Sequence, residues 1–589
     1  MDWVGLTGFA LALVVTAAAL FLARDASRTG AALALLVLAA VCLRVPPAAR
    51  LGISPWDERF HALVAKHALD APLVPTLIEH PLREPAPDDW RHAHVWLHKP
   101  PLVTWAIAAW FAVFGVNELA LRAPSVFLSS ALVLLVFAIA RRFASREAAL
   151  LAAGLAAWHA RSLLLAGGLR ATDHVDVGMT FFVALGALAA LRAAESLGSD
   201  GFWPRVGVTG AATAAAYYAK ETPAVVVPAV LFAALAARGA SWRVRVTATA
   251  AAFGVAAALI LPWQLYVANA FPELAAFARG RGRRYFTTVV DTQGGPWWYH
   301  LANLPLDFGW LAPAAVAWLG VESLRARPEL RPVALWLALV YGAFTLAATK
   351  MQSYVLIAAP AVFVALAWFA RDALPRRLHR IVLALLAVNA AIAVWQVEEP
   401  LEPKARDPLW ARELRHLGEQ VESLPEGKRV VFGVDTPIEC MFYARATCVL
   451  GPATEADVAV ARAGGFAVAS YGPSPVPGVT ELPIDPRTLP ARRLAGELQR
   501  AGVSDALIFN AKDAADLRSY LTRILEHASV SPAMPEKSRW LARKLAHGAR
   551  VVVLLPPRAQ PPESLAELAP DVLFLEDATY AHRLDSRLP

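Results

Sequence analysis

The chain has 589 residues, 57% hydrophobic and 18% charged, with a mean hydropathy of +0.45. That composition excludes a soluble enzyme of this length and fits a polytopic membrane protein. The net charge of +8 does not call for a nucleic-acid partner, because the arginines stand in short clusters between apolar runs, where membrane topology accounts for them.

Apolar runs of roughly 15–23 residues recur along the first two thirds of the chain. They predict about twelve helices, over 4–23, 31–47, 118–140, 148–168, 173–192, 206–219, 222–237, 246–267, 307–323, 333–348, 354–370 and 380–396. The pair 206–219 and 222–237 also reads as one long helix. The first run lacks a basic leader and a clear cleavage site, so it is expected to be retained as a span. Residues 99–115, opening on Pro100-Pro101, are expected to form an amphipathic helix on the outer surface rather than a span.

Arginine clusters fix an orientation. Arg24/Arg28, Arg141/Arg142/Arg146, Arg238/Arg243/Arg245, Arg325/Arg327/Arg331 and Arg371/Arg376/Arg377/Arg380 lie in alternate loops, which are expected to be cytoplasmic. The loops 48–117 and 268–306, and everything after 396, then lie outside. The cluster Arg279/Arg281/Arg283/Arg284 breaks the rule by falling outside, which gives a basic external patch open to a functional role.

Beyond residue 396 the apolar runs shorten to five or six residues, as in Val430–Val434, Ala506–Phe509 and Val551–Leu555, with helical patterns at 490–502 and 512–526. Short buried strands alternating with helices predict a small α/β domain over 397–589. Three cysteines make no disulfide framework. Cys440 and Cys448 either pair, which an external compartment permits, or stay as two thiols.

The ionisable residues outside the cytoplasmic loops converge on one membrane face. Asp57 and Glu58 follow the second run, and His98 and Lys99 close the first large loop. Asp173 and Asp176 open the fifth run, Lys220 and Glu221 split two short ones, and Lys350 and Tyr354 sit in a tight turn. Acids and lysines at the mouths of membrane helices are costly unless they act on something. Cations there suit a lipid-linked phosphate whose chain lies in the bilayer. A carboxylate suits the role of general base towards an acceptor hydroxyl. Trp297 and Trp298 suit either a sugar face or the interfacial belt.

In this order, Asp57-Glu58, Lys99-Pro100, Asp176, Ala219-Lys220, Trp297-Trp298-Tyr299 and Ala348-Thr349-Lys350…Tyr354 resemble the GT-C membrane glycosyltransferases. The resemblance covers about residues 31–370 and is nearest to the bacterial branch of lipid A aminoarabinose transferases and the relatives of protein O-mannosyltransferases. It implies Asp57, within the Asp57-Glu58 pair, as base and Asp176 or Asp173 as the second acid, with Asp176 preferred. It implies Lys99, Lys220, Lys350 and Tyr354 around the donor phosphate, with Arg283 and Arg284 as further candidates. The aminoarabinose branch carries Glu before its Lys-Pro, where this chain has His98, and an Arg three residues after its Asp, where Arg59 here is two after Asp57. A divalent metal is therefore left open, with His98 as candidate ligand.

The expected function is transfer of a sugar from a polyprenyl-phosphate donor, undecaprenyl phosphate in a bacterium, to an extracytoplasmic hydroxyl of lipid A, protein or glycan. A single displacement implies inversion. The alternative is a transporter or flippase of lipid-linked substrates, which would favour charges at mid-membrane and pseudo-symmetric halves. An oligosaccharyltransferase-type relative would carry a Trp-Trp-Asp-type signature in the tail, and none is present.

Overall fold

A computed structural model describes residues 3–54, 56–83, 89–169, 174–290, 293–398 and 409–488, together with three further strands between 505 and 576. All twelve predicted runs are helical. The first two are Trp3–Leu22 and Thr29–Ala48, and the longest is Trp242–Ala270. Among the described residues, eight helices are long and apolar enough to cross a membrane, or ten if two bent pairs each count as one span. The chain is thus a polytopic membrane protein.

Local chemistry sets several helix ends. Asn117 caps Glu118–Ala140 by accepting from the Ala120 amide at 2.9 Å, and Ser145 does the same for Arg146–Ala157. The 148–168 run is broken: Arg146–Ala157 stops at Trp158, and Ala160–Ala166 continues at 43°. Phe202–Lys220 and Thr222–Ala237 are two helices, because Glu221 turns the backbone at φ +56°. Gly309, at φ +89°, ends Tyr299–Phe308 and lets Ala312–Arg325 leave at 110°.

The His174–Glu195 helix is the centre of the bundle and packs on Glu118–Ala140, Phe202–Lys220 and Val226–Ala237. Its small residues allow close approach: a side chain at Gly186 would meet Val227. By contrast, Trp242–Ala270 and Arg376–Glu398 leave few of their side chains buried, as lipid-facing helices do.

One end of the bundle ties the arginine-rich loops together. Arg146 donates to the carbonyls of Ala23 (2.8 Å) and Asp25 (3.1 Å), Ser145 meets Asp372 (2.7 Å), and Arg142 pairs with Glu195 (3.0 Å). The opposite end carries the first large loop, which contains a helix over Asp57–His67 and a bridge between Thr76 and Val95. The Leu102–Phe114 helix starts after Pro101 as expected, but it is not amphipathic. Val103, Ile107 and Phe111 are buried, while the outer face shows Val113 and Phe114. An apolar outer face suits lipid rather than water, because nothing polar is present to solvate it.

In the tail, the predicted strands form at Arg429–Phe432, Asp505–Ile508 and Val551–Leu555. They belong to two sheets rather than one. Arg429–Phe432 lies between Thr447–Cys448 and Ala467–Tyr471, with Thr480–Leu482 at the edge, all parallel. Asp505–Ile508, Val551–Leu555 and Val572–Glu576 make a second parallel sheet. The helical patterns at 490–502 and 512–526 lie outside the described residues.

Cys440 and Cys448 form a disulfide that ties the Pro437–Tyr443 helix to the neighbouring strand. This first sheet domain sits directly on the large loop. Arg59 pairs with buried Glu439 at 3.1 Å, and Lys66 donates to the carbonyls of Met441 (2.6 Å), Phe442 (3.1 Å) and Ala444 (3.2 Å) at the end of that helix. Glu118 accepts from the Tyr443 hydroxyl (2.8 Å) and from Arg415 (2.6 Å). A lysine at a helix C-terminus satisfies carbonyls that have no partner within the helix.

Candidate active site

A cavity of about 620 Å³ opens among the helices at the loop-bearing end. Asp57 stands on its wall, in the first turn of the Asp57–His67 helix. The preceding residue, Trp56, holds φ +92°, a conformation that costs a bulky side chain energy and persists only where its surroundings enforce it. Here Arg91 stacks over the Trp56 ring at 5.1 Å. The Lys99 ammonium lies 3.9 Å from the Asp57 carboxylate, and both side chains are about one-seventh exposed (14% and 16%).

Lys220 and Asp176 form the second pair on the same wall. Asp176 is buried in the first turn of the central helix and takes a direct ion pair from the Lys220 ammonium, which also lies 5.3 Å from the centre of the Tyr354 ring. The break at Glu221 puts Lys220 at a helix end, so its long side chain reaches inward. Asp57, Lys99, Asp176, Lys220 and Tyr354 are far apart in sequence and share one cavity.

Glu58 is a correction. It does not line the cavity: it is fully buried, held by Arg122 (2.8 and 3.0 Å), His174 (3.0 Å) and the Ser54 amide. Arg122 also donates to the carbonyls of Arg50 (2.8 Å) and Gly52 (2.6 Å). Burial alone would raise the Glu58 carboxyl, but Arg122 and His174 outweigh it and hold the group far below the usual carboxylate range. Gly168, at φ +62°, closes the knot, since a Cβ there would run into Arg122 and Glu58. Glu58 therefore pins the start of the loop and touches no open space.

Lys350 is a second correction. Its ammonium donates to the carbonyls of Phe344 (3.0 Å), Thr345 (2.6 Å) and Ala347 (2.5 Å), capping the end of Arg331–Leu346, and the side chain is not on the cavity wall. Arg284 is exposed and also off the wall; Arg279, from the same basic patch, lines it instead. The Arg283 side chain and Asp173 lie outside the described residues. Trp297 (63% exposed) and Trp298 (51%) face outward, away from the cavity, while Tyr299 lines it. His98 stacks on Trp90, ring centres 4.5 Å apart, and meets Trp96 edge-on. Among the described residues no three His, Cys, Asp or Glu side chains converge as a metal site.

Sequence reasoning missed Arg161 and Asp307. Arg161, in the short helix after the break at Trp158, lines the cavity and pairs with buried Asp307 at 2.6 Å, which Gln352 joins at 3.0 Å. The signal was available, because an arginine inside an apolar run is costly and needs a partner.

Residues 98–266 match the family described as dolichyl-phosphate-mannose-protein mannosyltransferase. An undecaprenyl phosphate-alpha-4-amino-4-deoxy-L-arabinose arabinosyl transferase of Pseudomonas paraeruginosa is 29% identical over 338 residues, covering 53% of this chain and 59% of that protein. A second transferase of that name, from Pseudomonas fluorescens, is 26% identical over 263 residues, 44% of this chain and 47% of the relative. The chain thus spans about half the length of the curated relatives it matches. Among solved structures it is similar to ArnT from Cupriavidus metallidurans bound to undecaprenyl phosphate, with a TM-score of 0.53 and 15% identity over 73% of this chain and 87% of that one. The apo state of the same protein gives a TM-score of 0.51. These likenesses show the fold: the chain has the GT-C architecture and resembles the aminoarabinose transferases.

Proposed function

We propose that the protein is a glycosyltransferase that moves a sugar from a polyprenyl-phosphate donor to a hydroxyl on the outer side of a bacterial inner membrane. The observation that carries this reading is the cavity itself. A carboxylate and two lysines from three distant segments share one wall beside apolar side chains such as Leu164, Val226 and Val340, which suit an isoprenoid chain. The similarity to transferases named for undecaprenyl-phosphate aminoarabinose supports the donor class.

In this reading Asp57 takes the proton of the acceptor hydroxyl as its oxygen attacks the anomeric carbon. The bond from that carbon to the phosphate oxygen breaks, and its electron pair leaves with the polyprenyl phosphate. Lys99 and Lys220 neutralise the charge that builds there. Asp176 orients Lys220, and Tyr354 packs against it. One displacement inverts the anomeric centre. Lipid A, protein and another glycan are the acceptor classes.

Two observations support an extracytoplasmic cavity. The Cys440–Cys448 disulfide belongs to the domain seated on the cavity-bearing end, and disulfides persist in oxidising compartments. The loops tied together at the opposite end are the arginine-rich ones, which favour the cytoplasm.

The test is to supply purified protein in nanodiscs with synthetic undecaprenyl-phosphate sugars and a membrane extract as acceptor. Release of undecaprenyl phosphate with labelled acceptor is expected. Movement of labelled lipid across a liposome with no release from any donor would overturn the reading in favour of a transporter.

A further inference from the structure

The cavity contains a second polar cluster that the proposed transfer chemistry does not use. Arg161 contacts Asp307 Oδ1 through Nε (2.8 Å) and Nη2 (2.6 Å), and Gln352 Nε2 donates to the same oxygen at 3.0 Å. Arg161 and Gln352 face the cavity, while Asp307 behind them is 1% exposed at its side chain. Three donors thus crowd one carboxylate oxygen. The other, Oδ2, is buried and has no hydrogen-bond partner among the described residues, and neither has the hydroxyl of buried Tyr341, on which the Asp307 charge acts. Buried polar atoms are rarely left so; these two lie behind the wall, so a ligand in the cavity meets Arg161 and Gln352.

A charged pair within an apolar run is expensive. The bend after Trp158 carries Arg161 into the wall. The pair is also linked to the transfer site: Gln352 lies two residues before Tyr354, whose ring meets Lys220.

We infer that Arg161, positioned by Asp307, and Gln352 form the subsite that reads the hydroxyl substituents of the transferred sugar. This rests on the glycosyltransferase reading above. An isoprenoid chain gains nothing from a guanidinium and an amide. A phosphate is better served by Lys99 and Lys220, because the guanidinium fork is already committed to a carboxylate and the pair is close to neutral. What remains of such a donor is a neutral, hydroxyl-rich ring, whose hydroxyls can accept from Arg161 Nη1 and donate to Gln352 Oε1, the atoms not turned to Asp307.

The test measures two things on wild type, on the double variant Arg161→Gln/Asp307→Asn, and on Gln352→Ala. The double variant leaves no unpaired buried charge, and Gln352→Ala leaves the ion pair intact should the double variant fail to fold. The first readout is binding of undecaprenyl phosphate without sugar. The second is kcat/KM for two undecaprenyl-phosphate sugars epimeric at one carbon. The expected result is unchanged binding of the bare lipid phosphate, a fall of about 10- to 100-fold with the preferred epimer, and a preference that collapses towards unity. Variants that keep the wild-type preference, or lose both epimers equally, would overturn the subsite while leaving the transferase reading intact. A wild type that neither binds the bare lipid phosphate nor turns over either epimer would overturn both.

Discussion

Asp57 and Glu58 are consecutive carboxylates in one helical turn, and they face opposite surroundings. Successive side chains on a helix point about 100° apart. Asp57 therefore looks into the cavity, 3.9 Å from Lys99 and partly exposed. Glu58 looks into the bundle, fully buried and closed in by Arg122, His174 and the Ser54 amide. One pair is long and stands partly exposed on the cavity wall. The other is short and saturated, so it can only hold the fold together. For acids at the mouth of a membrane helix, residue type thus says less than which way the helix turns the side chain.

The sharpest break in this comparison is Glu58→Ala. It strands a buried guanidinium, and removing one partner of such a pair costs about 3–5 kcal/mol. The expected result is loss of monodisperse protein in size-exclusion chromatography, with Arg122→Ala giving the same outcome. On the open side, where both members of the pair are partly exposed, Lys99→Ala is expected to leave the fold intact and weaken donor binding by about 10- to 100-fold, the range for a charge-assisted hydrogen bond. A donor titration at fixed acceptor reads it as a raised KM.

The docked domain gives a smaller effect of the same kind. Replacing both Cys440 and Cys448 by Ser opens a loop of sequence separation 8. Chain entropy then predicts a loss of roughly 2.5 kcal/mol, visible as a lower unfolding temperature for the wild type under reducing conditions as well.

The smallest effect is in pH. The Glu58 carboxyl is held below its ordinary value, so the unfolded chain binds the proton first as pH falls. The contribution of Glu58 to stability is complete above about pH 4.5 and declines below it, by up to about 1.4 kcal/mol per pH unit. A stability profile flat from pH 5 to 8 with respect to this group, then falling, is expected, and Glu58→Gln should flatten the acid limb relative to wild type.

Much of the architecture was legible because apolar length is a strong signal. All twelve runs are helices, and the short strands at 429–432, 505–508 and 551–555 stood out as buried apolar runs. Asp57, Lys99, Asp176, Lys220 and Tyr354, all on the cavity wall, were legible for another reason: each sits near where an apolar run starts or stops. The same rule misled at Lys350, since a lysine beyond a helix end reads alike whether it meets a ligand or caps that helix. Glu58 was misread because its partners, Arg122 and His174, are 64 and 116 residues away. Arg161 was hidden inside a run counted as one span, where the break at Trp158 has no proline or glycine to announce it. Thr447–Cys448 and Thr480–Leu482 are too short for any period to register.

The most direct measurement sets Asp57→Asn beside wild type in the release of undecaprenyl phosphate. The expected result is a folded, donor-binding protein whose turnover falls by about 10²- to 10⁴-fold, the usual contribution of a general base. Full turnover by Asp57→Asn would contradict the assignment and move the base to the Asp176 side of the cavity.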